Sequence, residues 1–287
     1  MFSKYFKIID SNSIQCTACY RACIIKENNT GFCKVRKNID SRLVTLVYNK
    51  ISSINIDPIE KKPIFNFLQS TKTLSFGTLG CNFDCAFCQN HEISNCNNKC
   101  LELTRQYSPE EIVNLAIEKN CPSISYTYNE PTVFVEFALD TMKLAHKNGL
   151  KNIWISNGYM SKEVLKDIVP HLDAINIDLK GTQDFYNALI PGIYVKHIKE
   201  NIKELYENKI HIEITNLLIE NYNTDSKDIQ EIVDFVYSVS PDIPLHFSRS
   251  FPHYRLNHIT PTKLETLKLA EKLAKEKGLV NVYLGNI

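Results

Sequence analysis

The sequence predicts an α/β protein in which a small cysteine-rich N-terminal segment precedes a partial or complete parallel (β/α) barrel. Two observations lead to this prediction. From about residue 71 onward, short strand-like runs alternate with longer stretches that have the 3.6-residue periodicity of helices. Before that point the chain is different, because four of its ten cysteines lie within residues 16–33. We therefore predict two units, residues 1–70 and residues 71–287.

The barrel elements follow from hydrophobic periodicity and from local start signals. Ser108-Pro109 and Thr260-Pro261 are typical of helix starts, in which a capping residue precedes a proline. Seven strands are predicted, at residues 74–79, 123–128, 152–158, 174–181, 211–219, 245–250 and 282–286. Six helices are predicted, at residues 109–120, 132–148, 161–169, 195–208, 225–238 and 261–278. In barrels of this kind, functional residues lie at the carboxyl ends of the strands.

Composition excludes several classes of protein. Hydrophobic residues make up 44% of the 287 residues and charged residues 23%, which is ordinary for a folded globular chain. A net charge of +1 gives no support for a strongly basic nucleic-acid binder. The sequence has neither a signal peptide nor a run of about 18 apolar residues. We expect a soluble, cytoplasmic protein without a membrane partner.

Three cysteines follow the first predicted barrel strand closely. Gly77 and Gly80 flank the strand exit, and Cys81, Cys85 and Cys88 come next. Soft thiolates select iron–sulfur clusters, zinc or copper(I). A 4Fe-4S cluster normally takes four cysteines, so three would leave one iron open for a non-protein ligand. The same spacing also fits three buried structural cysteines on one helix face, or a structural zinc completed by a remote ligand.

Several motifs together resemble those of the AmmeMemoRadiSam-system radical S-adenosylmethionine (SAM) enzymes, which are relatives of pyruvate formate-lyase activating enzyme. The similarity extends over nearly the whole chain. The matching segments are residues 77–94, 125–132 (SYTYNEPT), 155–159 (ISNGY), 178–181 (DLKG) and 246–249 (HFSR).

The resemblance implies a radical SAM barrel and a radical SAM oxidoreductase activity. Cys81, Cys85 and Cys88 would ligate a 4Fe-4S cluster, and SAM would occupy the fourth iron. Reductive cleavage would give methionine and a 5′-deoxyadenosyl radical, which would abstract hydrogen from a substrate that the sequence does not identify. One possible reaction is glycyl-radical activation of a partner protein, and the alternative is modification of RNA or a metabolite. The alternative that is not an enzyme is a non-catalytic zinc-binding scaffold.

The resemblance also implies a set of SAM-binding residues near the strand ends. They are Phe87, Asn129, Glu130, Ser156, Asn157, Asp178, Lys180 and His246. Ordinary readings stay open for several of them: core packing for Phe87, an Asn-Gly turn after Ser156, a plain salt bridge for Asp178 and Lys180, and a structural role for His246. Glu213 would need a buried partner if it points inward and none if it points outward.

The N-terminal cysteines supply a second candidate metal site. Cys16, Cys19, Cys23 and Cys33 are enough to close a site by themselves, so we expect a structural zinc or an iron–sulfur cluster, with free thiols as the alternative. The remaining Cys96, Cys100 and Cys121 fall outside the pattern. Cys96 and Cys100 could form a further pair, but we interpret them as surface thiols in a polar, Asn-rich loop. Expected partners are a low-potential electron donor of the flavodoxin or ferredoxin type and Memo-like and AMMECR-like companion proteins.

Overall fold

The computed structural model describes residues 1–95 and 98–287. Its N-terminal part consists of short antiparallel strands. The first sheet contains β1 (Phe6–Asp10), β2 (Ser13–Cys16) and β3 (Ile24–Lys26), and a hairpin of β4 (Arg36–Ile39) and β5 (Arg42–Thr45) follows. The next elements are β6 (Lys50–Ile51), β7 (Ser53–Pro58), β8 (Lys72–Gly77), the short helix α1 (His91–Ser94) and β9 (Arg105–Gln106), which pairs with β6.

From β8 onward, strands and helices alternate as the sequence predicts. The remaining elements in chain order are α2 (Pro109–Glu118), β10 (Ser123–Tyr126), α3 (Val135–Lys147), β11 (Lys151–Ser156), α4 (Lys162–Ile168), β12 (Ala174–Asp178), α5 (Gln183–Leu189), α6 (Val195–Glu207), β13 (His211–Leu218), α7 (Ser226–Val239), β14 (Leu245–Arg249), α8 (Leu264–Lys277) and β15 (Val282–Gly285). Ser108 caps α2 through a reciprocal capping box with Glu111, as its sequence indicates. The prediction is wrong about the start of the last helix, because α8 begins at Leu264, three residues after Pro261.

The strands form one eight-stranded sheet in the order β15-β14-β13-β12-β11-β10-β8-β7. Strands β8 and β10 to β15 are parallel, and β7 lies antiparallel to β8 at one edge. The sequential order of the parallel strands is that of a (β/α) barrel. Since β7 and β15 are its two edges, the sheet is a partial barrel, which confirms the predicted fold class.

The two faces of the sheet bury different partners. On the outer face, Ile175 and Ile177 of β12 belong to the main hydrophobic core together with the helices. Side chains alternate between the two faces along a strand, so Asn176, which lies between these two residues, faces the inner side. There, Ile153 and Ala174 form a separate cluster with Ile59 and Ile64.

Residues 59–68, which we call the plug, therefore fill the inner face at the amino-terminal halves of the strands. Asn176 donates a hydrogen bond from Nδ2 to the carbonyl oxygen of Pro63 over 2.7 Å. Glu213, which is completely buried, accepts hydrogen bonds from the backbone N–H groups of Phe65 and Asn66 at 2.8 and 2.7 Å. Glu213 thus points inward, and the plug supplies two of its hydrogen-bond partners.

A buried ion pair attaches the N-terminal part to the barrel. Arg36 of β4 donates to both carboxylate oxygens of Glu136 on α3, at 2.9 and 2.8 Å. Both side chains are at least nine-tenths buried, so breaking the pair would leave an uncompensated charge in the interior. Within the described ranges, no helix is long and apolar enough to cross a membrane.

Candidate cofactor site at the carboxyl ends of the barrel strands

The three-cysteine loop leaves β8 through two glycines that nothing larger could replace without strain. A Cβ atom on Gly77 would lie 2.4 Å from the carbonyl oxygen of Thr127. Gly80 has a φ of +83°, and a Cβ atom there would lie 2.5 Å from the carbonyl oxygen of Cys33. These close approaches hold the loop between the end of β10 and the N-terminal cysteine segment.

The three thiols of this loop influence one another. Burial raises the pKa of Cys81, Cys85 and Cys88, and the neighbouring thiols raise the pKa of Cys81 and Cys85 further. Thiols that are close enough to interact in this way offer soft sulfur ligands to one metal centre, and such ligands select iron–sulfur clusters, zinc or copper(I).

Asn129 supports this loop with both ends of its side chain. Its Oδ1 atom accepts a hydrogen bond from the backbone N–H of Thr78 at 3.0 Å, and its Nδ2 atom donates to the carbonyl oxygen of Gly80 at 2.8 Å. The amide of Asn129, expected to contact SAM, is therefore engaged in positioning the cysteine loop.

Three of the predicted SAM-binding residues come together around the buried carboxylate of Glu130. It accepts hydrogen bonds from the Ser156 hydroxyl at 2.9 Å, the Asn157 backbone N–H at 2.8 Å and the Thr132 backbone N–H at 3.0 Å. Burial raises the pKa of Glu130, while these hydrogen bonds oppose the rise. Asn157 extends the group to the cysteine loop, because its Nδ2 atom donates to Oδ1 of Asn82 at 2.7 Å.

Asp178 and Lys180 form an ion pair beside the same loop. The Lys180 Nζ atom lies 2.6 Å from an Asp178 carboxylate oxygen, and the side chains are 15% and 34% exposed. The positive charge of Lys180 counteracts the effect of burial on the pKa of Cys85. This pair is thus both close to the cysteines and accessible to a ligand.

Two predicted residues have other surroundings. Phe87 is buried and packs against Phe185 of α5, with ring centroids 5.8 Å apart, so it contributes to the core as well as to the loop. His246 is the second residue of β14, and its Nε2 atom lies 2.6 Å from Glu213. Its ring also contacts Phe65 of the plug, with centroids 4.8 Å apart. These contacts indicate a structural role for His246.

Two polar residues on the inner face were not among the predicted site residues. Asn176 Oδ1 and Thr215 Oγ1 are buried and have no hydrogen-bond partner in the described part of the chain. Buried polar atoms are nearly always paired, so these two favour a polar ligand on the inner face. Period-two alternation along β12 and β13 is the signal that could have identified them.

Two further cysteines, Cys100 and Cys121, contact the hydrophobic core. Cys121 is buried. Cys96 is outside the described residues, whereas Cys100 packs against the main core and is not the surface residue we expected.

A parallel partial barrel with three cysteines after its first strand defines a cluster-binding barrel enzyme. Three soft donors, glycines that admit close approach and unpaired inner-face polar atoms all fit a 4Fe-4S cluster with SAM. Comparison with known families agrees: residues 76–236 match the radical SAM superfamily, and the chain belongs to it. Its cofactors are accordingly a 4Fe-4S cluster and SAM.

Individual relatives are similar to the chain to different degrees. The chain is 44% identical over 284 residues to the uncharacterized protein MJ0808 of Methanocaldococcus jannaschii, covering 99% of this chain and 84% of that protein. It is 21% identical over 177 residues to the 4-hydroxyphenylacetate decarboxylase activating enzyme of Clostridium scatologenes, covering 58% and 57% of the two chains. A radical SAM methyltransferase from Sphaerobacter thermophilus shares the fold, with a TM-score of 0.59 at 13% identity over 76% and 67% of the two chains.

Proposed function

We propose that this protein is a radical SAM enzyme of the AmmeMemoRadiSam type that removes a hydrogen atom from a partner protein, as glycyl-radical activating enzymes do. The observation that carries the proposal is the three-cysteine loop at the carboxyl end of β8, held in place by Asn129. Similarity to an activating enzyme of a decarboxylase supports a protein as the substrate.

The side chains at the strand ends have separate tasks in this proposal. Cys81, Cys85 and Cys88 would hold the 4Fe-4S cluster. The bound, reduced cluster would supply the electron for the reductive cleavage of SAM to methionine and a 5′-deoxyadenosyl radical. Lys180 and Asp178 offer opposite charges to the carboxylate and amino groups of SAM, because charge-assisted hydrogen bonds are strong in a partly buried site.

Glu130 acts as a positioning residue. All its hydrogen bonds described above go to protein groups, and they fix Ser156 and Asn157 in one arrangement. Through Asn157 and Asn82 the same arrangement continues into the cysteine loop. A ligand at the strand ends therefore meets a preorganised set of polar groups.

The plug determines the side from which a substrate can approach. It covers the amino-terminal halves of the strands on the inner face, through Ile64 and the bonds to Glu213 and Asn176. The substrate therefore enters from the carboxyl ends, where the cysteine loop lies. The electron arrives from a low-potential donor of the flavodoxin or ferredoxin type, and Memo-like and AMMECR-like proteins are the proposed companions.

The cleavage reaction is tested by replacing one cysteine of the loop. Protein reconstituted without oxygen and reduced with dithionite should form 5′-deoxyadenosine from SAM, and Cys88→Ala should abolish this because the cluster loses a ligand. Cys121→Ala is the control, since Cys121 is a buried cysteine that lies outside the loop. Wild-type rates of cleavage by Cys88→Ala would contradict the assignment.

The choice of a protein substrate has its own test. Cells of the source organism are grown with glycine deuterated at its α carbon, and their protein, RNA and small-molecule fractions are added separately to the reduced enzyme with SAM. The protein fraction should give 5′-deoxyadenosine that is heavier by one deuterium. Deuterium transfer from only the RNA or small-molecule fraction would refute the protein substrate without affecting the cleavage reaction.

A further inference from the structure

The four N-terminal cysteines converge on one cavity. Cys16 ends β2, Cys19 and Cys23 lie between β2 and β3, and Cys33 lies between β3 and β4, yet all four line the same small space. The cavity wall is completed by apolar side chains and by Arg21, Arg36 and Asn82. The end of β2, the β2–β3 connection and the β3–β4 connection are thus gathered around one centre.

Two buried hydrogen-bond donors in the cavity wall have no acceptor. Arg36 is 2% exposed and its guanidinium is paired with Glu136, but its Nε atom has no partner in residues 1–95 or 98–287. Asn82 is 1% exposed, and its Nδ2 atom is likewise unpaired among those residues. Buried donors of this kind are costly unless something accepts their hydrogen bonds.

These donors discriminate between the candidate occupants. The two N–H groups make no hydrogen bond with the cysteine sulfurs among the described residues, so the thiols alone do not satisfy them. A zinc ion bound by the four thiolates would add no acceptor atom beyond the cysteine sulfurs. An iron–sulfur cluster also carries inorganic sulfides, which are hydrogen-bond acceptors.

The charge of the cavity wall also suits a metal centre that is bound by thiolates. The two arginines would balance part of the negative charge of a cluster.

We propose that Cys16, Cys19, Cys23 and Cys33 bind a second iron–sulfur cluster, with Arg36 Nε and Asn82 Nδ2 donating to its sulfides. The site adjoins the barrel loop directly. Asn82 follows Cys81 in that loop, and Arg21 donates a hydrogen bond to the Asn82 carbonyl oxygen. This site is distinct from the SAM cluster, and its existence does not depend on the proposed reaction.

The test uses a triple variant that lacks the barrel ligands, Cys81→Ala with Cys85→Ala and Cys88→Ala. After reconstitution with iron and sulfide in the absence of oxygen, the variant should keep about two to four irons per chain and an equal amount of sulfide. Adding Cys19→Ala and Cys33→Ala should remove both. Zinc in place of iron, or iron that remains after these two changes, would overturn the proposal.

A second measurement covers the case in which the combined variants do not fold. In the otherwise unchanged protein, Cys19→Ala should lower the iron and sulfide content to that of one cluster. The cluster of the barrel loop, which cleaves SAM, should be retained. Arg36→Lys should preserve the pairing with Glu136 but lower the reduction potential of the second cluster, because one hydrogen bond to sulfide is lost. Arg42→Lys, on an exposed arginine of β5, is the control and should leave the potential unchanged. An unaltered iron content in Cys19→Ala would refute the site.

Discussion

Replacing Glu213 by Gln tests how strongly the plug is attached to the barrel. Glu213 is completely buried and receives four hydrogen bonds: from the backbone N–H groups of Phe65 and Asn66, and from the rings of His211 and His246, at 2.6 to 3.0 Å. Glutamine has nearly the same shape but no negative charge, and one of its two carboxamide positions donates rather than accepts. The substitution thus weakens the attachment without creating a cavity.

The expected loss can be worked out in two ways. Hydrogen bonds to a charged group contribute about 1.5–3 kcal/mol, and Gln loses at least one of them. Burial by itself would raise the pKa of Glu213, but the hydrogen bonds from His211, His246 and the plug lower it from its ordinary 4.5 to about 2. At about 1.4 kcal/mol for each tenfold change in proton affinity, this difference corresponds to about 3 kcal/mol at neutral pH. Both estimates give a decrease of about 2–3 kcal/mol in the free energy of unfolding.

Urea unfolding followed by the fluorescence of Trp154 measures this loss. Trp154 is the only tryptophan of the chain and is completely buried in β11, so its emission reports on the barrel. Because the pKa of Glu213 is lowered by folding, its contribution is complete above pH 4.5 and disappears as the pH falls towards 2. The wild-type protein should lose this stability in acid and Glu213→Gln should not.

The control and the refuting result are equally direct. Glu207→Gln changes an exposed glutamate near the end of α6 and should alter the free energy of unfolding by less than about 0.5 kcal/mol. If Glu213→Gln were as stable as wild type at pH 7, or lost stability in acid in parallel with it, then the plug would not depend on the Glu213 carboxylate.

Three further substitutions test the strand-end site. Gly80→Ala should destabilise the fold by about 1–3 kcal/mol and lower the iron content, because φ is +83° and the new Cβ would meet the Cys33 carbonyl oxygen; thermal unfolding and iron analysis measure this. Glu130→Gln should lower the free energy of unfolding in urea by about 1.5–3 kcal/mol, and an unchanged value would contradict its bonding role. Asp178→Asn should change stability by less than about 1 kcal/mol, since Asp178 and Lys180 are partly exposed, but it should weaken SAM binding in calorimetric titration.

The barrel could be predicted because its strands and helices have strong local periodicity. Strand β13, for example, alternates apolar residues with polar ones, and the length and spacing of such runs indicate the βα order. The helix α5 was missed, because seven residues after a strand give little periodic signal. The plug was missed for a different reason: its partners are far away in the sequence, and local patterns do not report contacts of that kind.

The sequence predicted which residue types form the candidate site better than it predicted what those residues contact. The spacing of Cys81, Cys85 and Cys88 identifies the loop without any structure. For Glu130 and Asn129, in contrast, the sequence indicated a ligand contact, whereas the structure shows hydrogen bonds to protein groups. The direction of Glu213 depended on the register of β13, which only the assembled sheet defines.

The plug also has a consequence for synthesis of the chain. Phe65 and its partner Glu213 are 148 positions apart, so the plug leaves the ribosome long before β12 and β13 are available to receive it. Until then, apolar Ile64 has no surface to cover it, and contacts between such distant positions form slowly. Nascent chains that stop before β13 therefore carry an exposed segment, which is a typical target for chaperones and a cause of aggregation. The yield of folded protein should consequently depend on how quickly translation passes through β13.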